Sequence, residues 1–319
     1  MDVNLAAVAI YTPLSLEDAD RITRSHSLGG ALEVTGILAG SVNSNYFVTS
    51  ESRQVFVRIY EEQDVEGVRF EWALLTHLRE AGLPVPERVS GAEAGAVRVD
   101  GKPTAVFELV GGHEVCQKMV NPSRAHAVGA VMARTHVAVG SFGLSGEGRF
   151  GRADVRRRLE GIAKLGRPEL SEAVATLEAS LDHVDAKWPE TLPSGVIHGD
   201  LFRDNVRWVD DADPSKIACV LDWESAEPEA FVYDLAVSIL AWCYGDRLER
   251  DCLDAMVAGY ESVRPMGDAE RAALPLALQA AAARFTVTRI TDFHLRESGD
   301  QVKKDWRRFY ERLLAVQRL

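Results

Sequence analysis

The 319-residue chain lacks several features that would each assign it to a class. No run of about 18 apolar residues is present, so no membrane-spanning helix is expected. Basic residues are in the minority: 36 Lys and Arg stand against 48 Asp and Glu, a net charge of −12. Nucleic-acid binders need a cationic surface to displace counterions, so a nucleic-acid partner is not expected. Only four cysteines occur, Cys116, Cys219, Cys243 and Cys252, in apolar surroundings and without a Cys-x-x-Cys pair. They read as reduced core thiols rather than as disulfides or a zinc site. The opening stretch "MDVNLAAVAIYTPLSLEDAD" has no basic segment followed by an apolar core and a small-residue cleavage site. It does not read as a secretory signal, and the cytoplasm is the expected compartment.

What is present is ordinary globular composition, with 46% hydrophobic and 26% charged residues, over a length sufficient for two lobes. The first hundred residues alternate short β-like runs with turn signals: "LEVTGILAG", "NYFVTS" and "QVFVRIYE", then a helix-like stretch over 68–81. "GLPVP" ends that helix, and "AVRVDGKPTAVFELV" predicts a hairpin turning at Asp100 and Gly101. Strands are thus expected first, then a helix, then more strands. Beyond "VGG" at 110–112 the pattern turns helical. The spacing predicts a helix over 121–139 behind a cap at Asn121 or Ser123, and another over 171–188 with Val174, Leu177, Leu181 and Val184 on one face. Further helices follow from Phe231, broken near 265–268 and 298–300. The expected class is α+β, with a small β-rich N-terminal lobe over 1–109 and a larger, mostly helical lobe over 110–319.

One polar stretch interrupts the helical part. "VIHGDLFRDNVRW" holds His198, Asp200 and, five residues on, Asn205. A strand "VRWV", a turn "DDADPSK" and a second strand "IACVL" follow, and Asp222 stands at the end of the second strand. Such a hairpin returns Asp222 to the side of Asn205. Two carboxylates and an amide at one loop end suit phosphoryl transfer: Asp200 to accept the proton of an attacking hydroxyl, Asn205 and Asp222 to hold magnesium on nucleotide phosphates. His198 reads as a loop organiser bonded to nearby backbone.

"VIHGDLFRDNVRW", "VLDWE" and "YDLAVSILAWCY" resemble the aminoglycoside phosphotransferase and choline kinase superfamily, relatives of the protein kinases. Within it the chain is most similar to the homoserine kinases of that fold, a likeness extended by "GSVNSNYFV", "GYESVRP", "ARFTVTRITDF" and "VKKD". The resemblance implies a bilobal protein-kinase-like fold with ATP and Mg2+ in the cleft. It carries the catalytic role to Asp200, the amide ligand to Asn205 and the magnesium carboxylate to Asp222, and it gives Asp234 of "YDLA" a bracing role. It further implies a phosphate-covering turn with Gly40, Ser41, Asn43, Ser44 and Asn45, and an adenine-binding connection at Phe107, Glu108 and Leu109. Arg58 stands where kinases carry a strand lysine and where homoserine kinases of this fold often lack a basic residue, a departure from their pattern, and Glu71 on the next helix is its expected partner.

The implied reaction is phosphorylation of the L-homoserine hydroxyl, a step of threonine biosynthesis. "DWESAE" departs from the homoserine kinase pattern by placing Glu224 where aromatic residues are common, which keeps another amino alcohol or an aminoglycoside-like antibiotic as the alternative acceptor. The basic "VKKDWRRFYERLL" opposes the aminoglycoside. A zwitterionic amino acid needs charges of both signs, which Arg284, Arg289 and Asp292 offer at helical spacing. A non-catalytic nucleotide-binding regulator on the same fold would lack one of Asp200, Asn205 and Asp222, and all three are present. Oligomeric state is not legible.

Overall fold

The computed structural model describes residues 12–37, 42–144, 148, 150–295 and 304–318. The chain forms two compact units that meet in sequence at Gly111 and Gly112.

Among the described residues the first unit opens on a helix, contrary to the expectation of strands first. Helix α1 (Leu16–Ser25) is capped by Ser15, whose hydroxyl accepts from Asp18 N at 3.0 Å, with Glu17 and Asp18 at its positive end and Arg24 in its last turn. Its apolar stripe amounts to little more than Ala19 and Ile22, which is why hydrophobic periodicity did not reveal it. The strands β1 (Ala31–Ile37), β2 (Ser44–Ser50), β3 (Gln54–Ile59), β4 (Arg98–Val99) and β5 (Lys102–Phe107) form an antiparallel sheet in the order β1-β2-β3-β5-β4. Period-two alternation puts Val55, Val57 and Ile59 of β3, with Tyr46 and Val48 of β2, into a core shared with Ala19 and Ile22. The β4–β5 hairpin turns at Asp100 (φ 50°) and Gly101 (φ 77°), the paired left-handed conformation that a two-residue turn demands. Between β3 and β4 lies helix α2 (Val65–Glu80), capped by Asp64 accepting from Gly67 N at 2.9 Å.

The second unit is mostly helical: α3 (Pro122–Val139), α4 (Arg152–Lys164), α5 (Ser171–Lys187), α6 (Phe231–Trp242), α7 (Arg250–Glu261), α8 (Asp268–Arg289) and α9 (Arg307–Val316). Two small antiparallel pairs interrupt it, β6 (Ser194–Ile197) with β9 (Glu227–Ala230), and β7 (Val206–Trp208) with β8 (Ile217–Val220). The first residue of α3 is Pro122, behind Asn121, whose side chain accepts from Arg124 N at 3.0 Å. Every residue of α6 is buried, so this helix is the centre on which α8 packs. Among the cysteines, Cys219, Cys243 and Cys252 are buried, but Cys116 is exposed, which corrects the expectation of four core thiols. Its apolar neighbour Val115 takes the buried position instead. Among the described residues no helix is long and apolar enough to cross a membrane.

Helices α3 and α7 touch backbone to backbone. A Cβ at Gly129 would lie 2.0 Å from Met256 O, and one at Gly259 would lie 2.0 Å from His126 O. Neither carbonyl can move without breaking its own helix. Gly129→Ala and Gly259→Ala should therefore each destabilise the protein by about 1–3 kcal/mol, the scale of overpacking, despite alanine's better helix propensity. Denaturant melts check this: a gain in midpoint for either variant would contradict the crossing.

Candidate active site

The polar stretch between β6 and β7 has little secondary structure of its own and is held from several sides. Asp234, in the first turn of α6, is fully buried and accepts from His198 N at 3.1 Å and Gly199 N at 2.9 Å. Arg284 of α8 donates from Nη1 to Gly199 O at 2.7 Å, Trp242 Nε1 to Leu201 O at 2.9 Å, and Arg203 Nη1 to Ala241 O at 2.7 Å. Gly199 has φ 71°, and a Cβ there would come within 3.0 Å of Ser225 O, so both conformation and space require glycine.

Asp200, Asn205 and Asp222 converge as the spacing predicted. The β7–β8 ladder pairs Val206 with Val220, and Leu221 N donates to Asn205 O at 2.8 Å, which sets Asp222 beside Asn205. Asn205 Nδ2 donates to Asp200 O at 2.8 Å; anchoring the amide nitrogen leaves the amide oxygen as the free end of the side chain. His198 Nε2 donates to Leu221 O at 2.8 Å and ties the two ends of the hairpin together, the organising role read from the sequence. Asp222 adopts a left-handed conformation, φ 64° and ψ 66°, rare for a residue with a side chain and a form of strain that gathers at functional sites. Burial pushes the Asp200 carboxyl up to about 6, opposed by Arg284, Lys304 and His198 and reinforced by Asp222. It stays mostly ionised at neutral pH and can accept a proton.

Asn205 and Asp222 are hard oxygen donors on one loop end, which fits magnesium better than a softer metal. Among the described residues no group of three or more His, Cys, Asp or Glu side chains is arranged to hold a metal. Magnesium needs no such cage, since it keeps several waters and takes one or two protein oxygens together with substrate phosphates.

The remaining sequence-predicted residues divide. In the first unit Arg58 and Glu71 approach to 3.8 Å, and Arg58 Nε donates to Asn45 Oδ1 at 3.3 Å from the register partner on β2. Asn43 Oδ1 accepts from Glu61 N at 3.2 Å, while Ser44 Oγ donates to Glu61 Oε1 at 2.5 Å, so both side chains are turned to the interior of the unit. Gly40 and Ser41 lie outside the described residues. Glu108 binds Arg53 through both oxygens, and its backbone N donates to Glu87 O at 2.9 Å; Leu109 is exposed. In the second unit Glu224 follows Asp222 in a short 3-10 turn. Arg284 is buried between Phe150 and Phe285, at 4.3 and 4.1 Å from their ring centres, and braces the loop. Asp292 is paired with Arg158 at 2.8 Å. Arg289 lies over the Phe309 ring at 4.4 Å, within electrostatic reach of Asp200.

Two polar centres escaped the sequence reading. Glu61 also accepts from Lys102 Nζ at 2.5 Å and Thr12 Oγ1 at 3.1 Å, a cluster drawn from four distant positions. Behind Asp234 runs a buried chain: Arg264 Nη1 donates to Glu270 at 2.8 Å and to Tyr260 Oη at 3.0 Å, Tyr260 donates to His136 Nδ1 at 2.7 Å, and His136 Nε2 donates to Asp234 at 2.9 Å. The one available signal was a His and a Tyr on predicted helices, which reads as ordinary core.

Residues 33–275 match the family described as the phosphotransferase enzyme family. The chain is 33% identical over 315 residues to the homoserine kinase of Methylobacillus glycogenes, covering 96% of this chain and 95% of that one. It is 34% identical over 318 residues to the homoserine kinase of Methylorubrum populi, covering 98% and 96%. Among solved structures, an amicoumacin kinase in complex with AMP-PNP, Ca2+ and Ami superposes with a TM-score of 0.70 at 15% identity, covering 93% of this chain and 92% of that one. A spectinomycin phosphotransferase in complex with ADP and spectinomycin gives 0.69 at 12% identity, covering 96% and 100%. At those identities the structural likeness speaks for the fold alone.

The buried chain has a pH signature. A neutral His136 accepts from Tyr260 and donates to Asp234, and burial holds its pKa below the ordinary 6.5. Asp234 is also held below its ordinary value: burial opposes ionisation, but His136 and the loop amides outweigh it. In both cases the unfolded chain takes up the proton first, so stability present at neutral pH falls as pH drops below about 6.5 and goes on falling through the carboxylate range. Denaturant midpoints between pH 8 and 5 should decline, and His136→Gln should flatten the upper part of that decline. An unchanged slope in the variant would remove His136 from the account.

Proposed function

This chain belongs to the phosphotransferase enzyme family, and we propose that within it the protein is an ATP-dependent kinase that transfers the γ-phosphate to the hydroxyl of L-homoserine. The observation that carries this reading is the convergence of Asp200, Asn205 and Asp222 on one clamped loop and hairpin. Two further facts support it: the likeness to homoserine kinases runs nearly end to end, and the position after β8 is strained where a metal carboxylate is required.

In this reaction Asp200 accepts the proton of the acceptor hydroxyl as its oxygen bonds to the γ-phosphorus and the bond to the leaving ADP oxygen breaks. Asn205 and Asp222 hold magnesium, which when bound supplies positive charge against the phosphate oxygens. Arg284 and Asp234 fix the loop so that the Asp200 carboxylate meets the hydroxyl without reorganising, and Glu224 borders the acceptor. In the first unit Arg58, oriented by Asn45 and Glu71, offers a guanidinium to nucleotide phosphates, and the backbone of Glu108 and Leu109 meets adenine. ATP supply makes the cytoplasm the compartment this reading requires.

Asp200→Asn should lower kcat by roughly 10² to 10⁴ while nucleotide affinity changes little, the scale of a positioned proton acceptor. Asp222→Ala should lose both turnover and productive MgATP binding. Near-normal turnover of Asp200→Asn in a coupled ADP-release assay would refute its role.

The same assay at saturating MgATP tests the acceptor. L-Homoserine should be preferred over L-serine, which is one methylene shorter, and over L-threonine, whose hydroxyl is secondary; one methylene alone is worth about 1–3 kcal/mol. Efficient turnover of an aminoglycoside or an amino alcohol, with none of homoserine, would assign the enzyme to that acceptor class instead.

A further inference from the structure

Charges removed from water are ordinarily paired. Three partly buried arginines of the second unit depart from this, and an exposed fourth stands near them. None of Arg203, Arg289, Arg308 and Arg312 has a carboxylate oxygen within 4.0 Å among the described residues. They are close enough to repel one another: Arg308 acts on the other three, and Arg312 also feels Arg203 and Arg289.

Three of the four are partly buried, and their hydrogen-bond partners are neutral. Arg203 donates to Ala241 O at 2.7 Å and Gln117 Oε1 at 2.5 Å, and Arg312 to Leu240 O at 2.7 Å. Arg289 donates from Nη1 to Asp305 O at 3.1 Å and lies on the Phe309 ring. Carbonyls and ring faces orient a guanidinium but do not cancel its charge. Burial, followed by mutual repulsion for Arg312, pulls Arg289 and Arg312 down to about 10, the mark of a cation whose desolvation is uncompensated. Among the described residues, the acids that attract Arg289 most are Asp200, Asp204 and Asp305. Asp305 already bonds Arg307, Asp204 is exposed, and the strongest attraction on Arg289 comes from Asp200.

We infer that Arg289, assisted by the exposed Arg308, binds the carboxylate of the amino-acid acceptor, with Arg203 and Arg312 supplying the positive field around it. This rests on the reading of the enzyme as a homoserine kinase and names the group that selects an amino acid over a plain amino alcohol. A guanidinium matches a carboxylate through two parallel hydrogen bonds, and Arg289 lies within electrostatic reach of Asp200, the carboxylate that would take the hydroxyl proton. The acceptor is thereby fixed at both ends, its acid group on Arg289 and its hydroxyl on Asp200. Nucleotide phosphate is the other anion that could satisfy these arginines, and the experiment separates the two.

The test compares L-homoserine with 3-amino-1-propanol, the same molecule without its carboxylate, in the wild type and in Arg289→Gln, Arg289→Lys and Arg308→Gln. Arg289→Gln should raise KM for homoserine roughly 10- to 100-fold, the worth of a charged hydrogen-bonded pair, while leaving KM for ATP and the kinetics on 3-amino-1-propanol within about twofold. Arg289→Lys, which keeps the charge and loses the fork, should fall between, and Arg308→Gln should raise KM for homoserine less. Equal losses on both acceptors, or a rise in KM for ATP, would overturn the inference and give Arg289 to the fold or to the phosphates. Thermal melts identify an unfolded Arg289→Gln, in which case Arg289→Lys and Arg308→Gln decide by the same comparison. A wild type that does not phosphorylate homoserine would instead overturn the functional reading on which the inference rests.

Discussion

The arrangement of the second unit depends on a single buried carboxylate. Asp234 has no access to water, so its charge must be met by donors from the protein. Those donors are His198 N, Gly199 N and His136 Nε2. Two belong to the loop that carries Asp200, and the third begins the chain through Tyr260 and Arg264 to Glu270. Each bond to a charged group is worth about 1.5–3 kcal/mol, and losing a donor would leave the carboxylate exposed to its full desolvation cost. The loop geometry is therefore enforced by electrostatics from α6 and α3 behind it.

Arginine is used here in two ways. Arg264 closes an ion pair with Glu270 and is structural in the ordinary sense. Arg284, by contrast, is buried yet bonds a backbone carbonyl and two aromatic faces, and the same holds in part for Arg289 and Arg312. Rings and carbonyls hold a guanidinium in place without neutralising it. An acidic protein that handles anionic substrates needs local positive potential of this kind, and the net charge of −12 conceals it.

The convergence of Asp200, Asn205 and Asp222 was legible because it is compressed: the three lie on one loop and one hairpin, where sequence spacing and spatial spacing nearly coincide. Asp100 and Gly101 were legible for a similar reason, since turn chemistry is local. Helix α1 was not, because a helix with two principal buried apolar residues shows almost no periodicity and announces itself only by its cap. The Glu61 cluster and the chain behind Asp234 join positions separated by tens to more than a hundred residues, and no window along the sequence contains them. Arg284 was visible as a cation on a helix, yet whether such a cation faces a substrate or supports a loop is decided by packing, which spacing does not encode.

That same dispersal has a consequence for how the chain acquires its structure. The partners of Asp234 come from α3, from the loop after β6 and, through His136, from α7, so long stretches of chain must close before any of these bonds forms. Closure is unfavourable until it is complete, and contacts of such high sequence separation slow the search. The β4–β5 and β7–β8 hairpins can form from neighbours alone, whereas the loop bearing Asp200 gains its shape only when α3, α6 and α7 have already docked. In a folding molecule the loop bearing Asp200 is thus among the last parts to become native, and its shape reports on completion of the helical core.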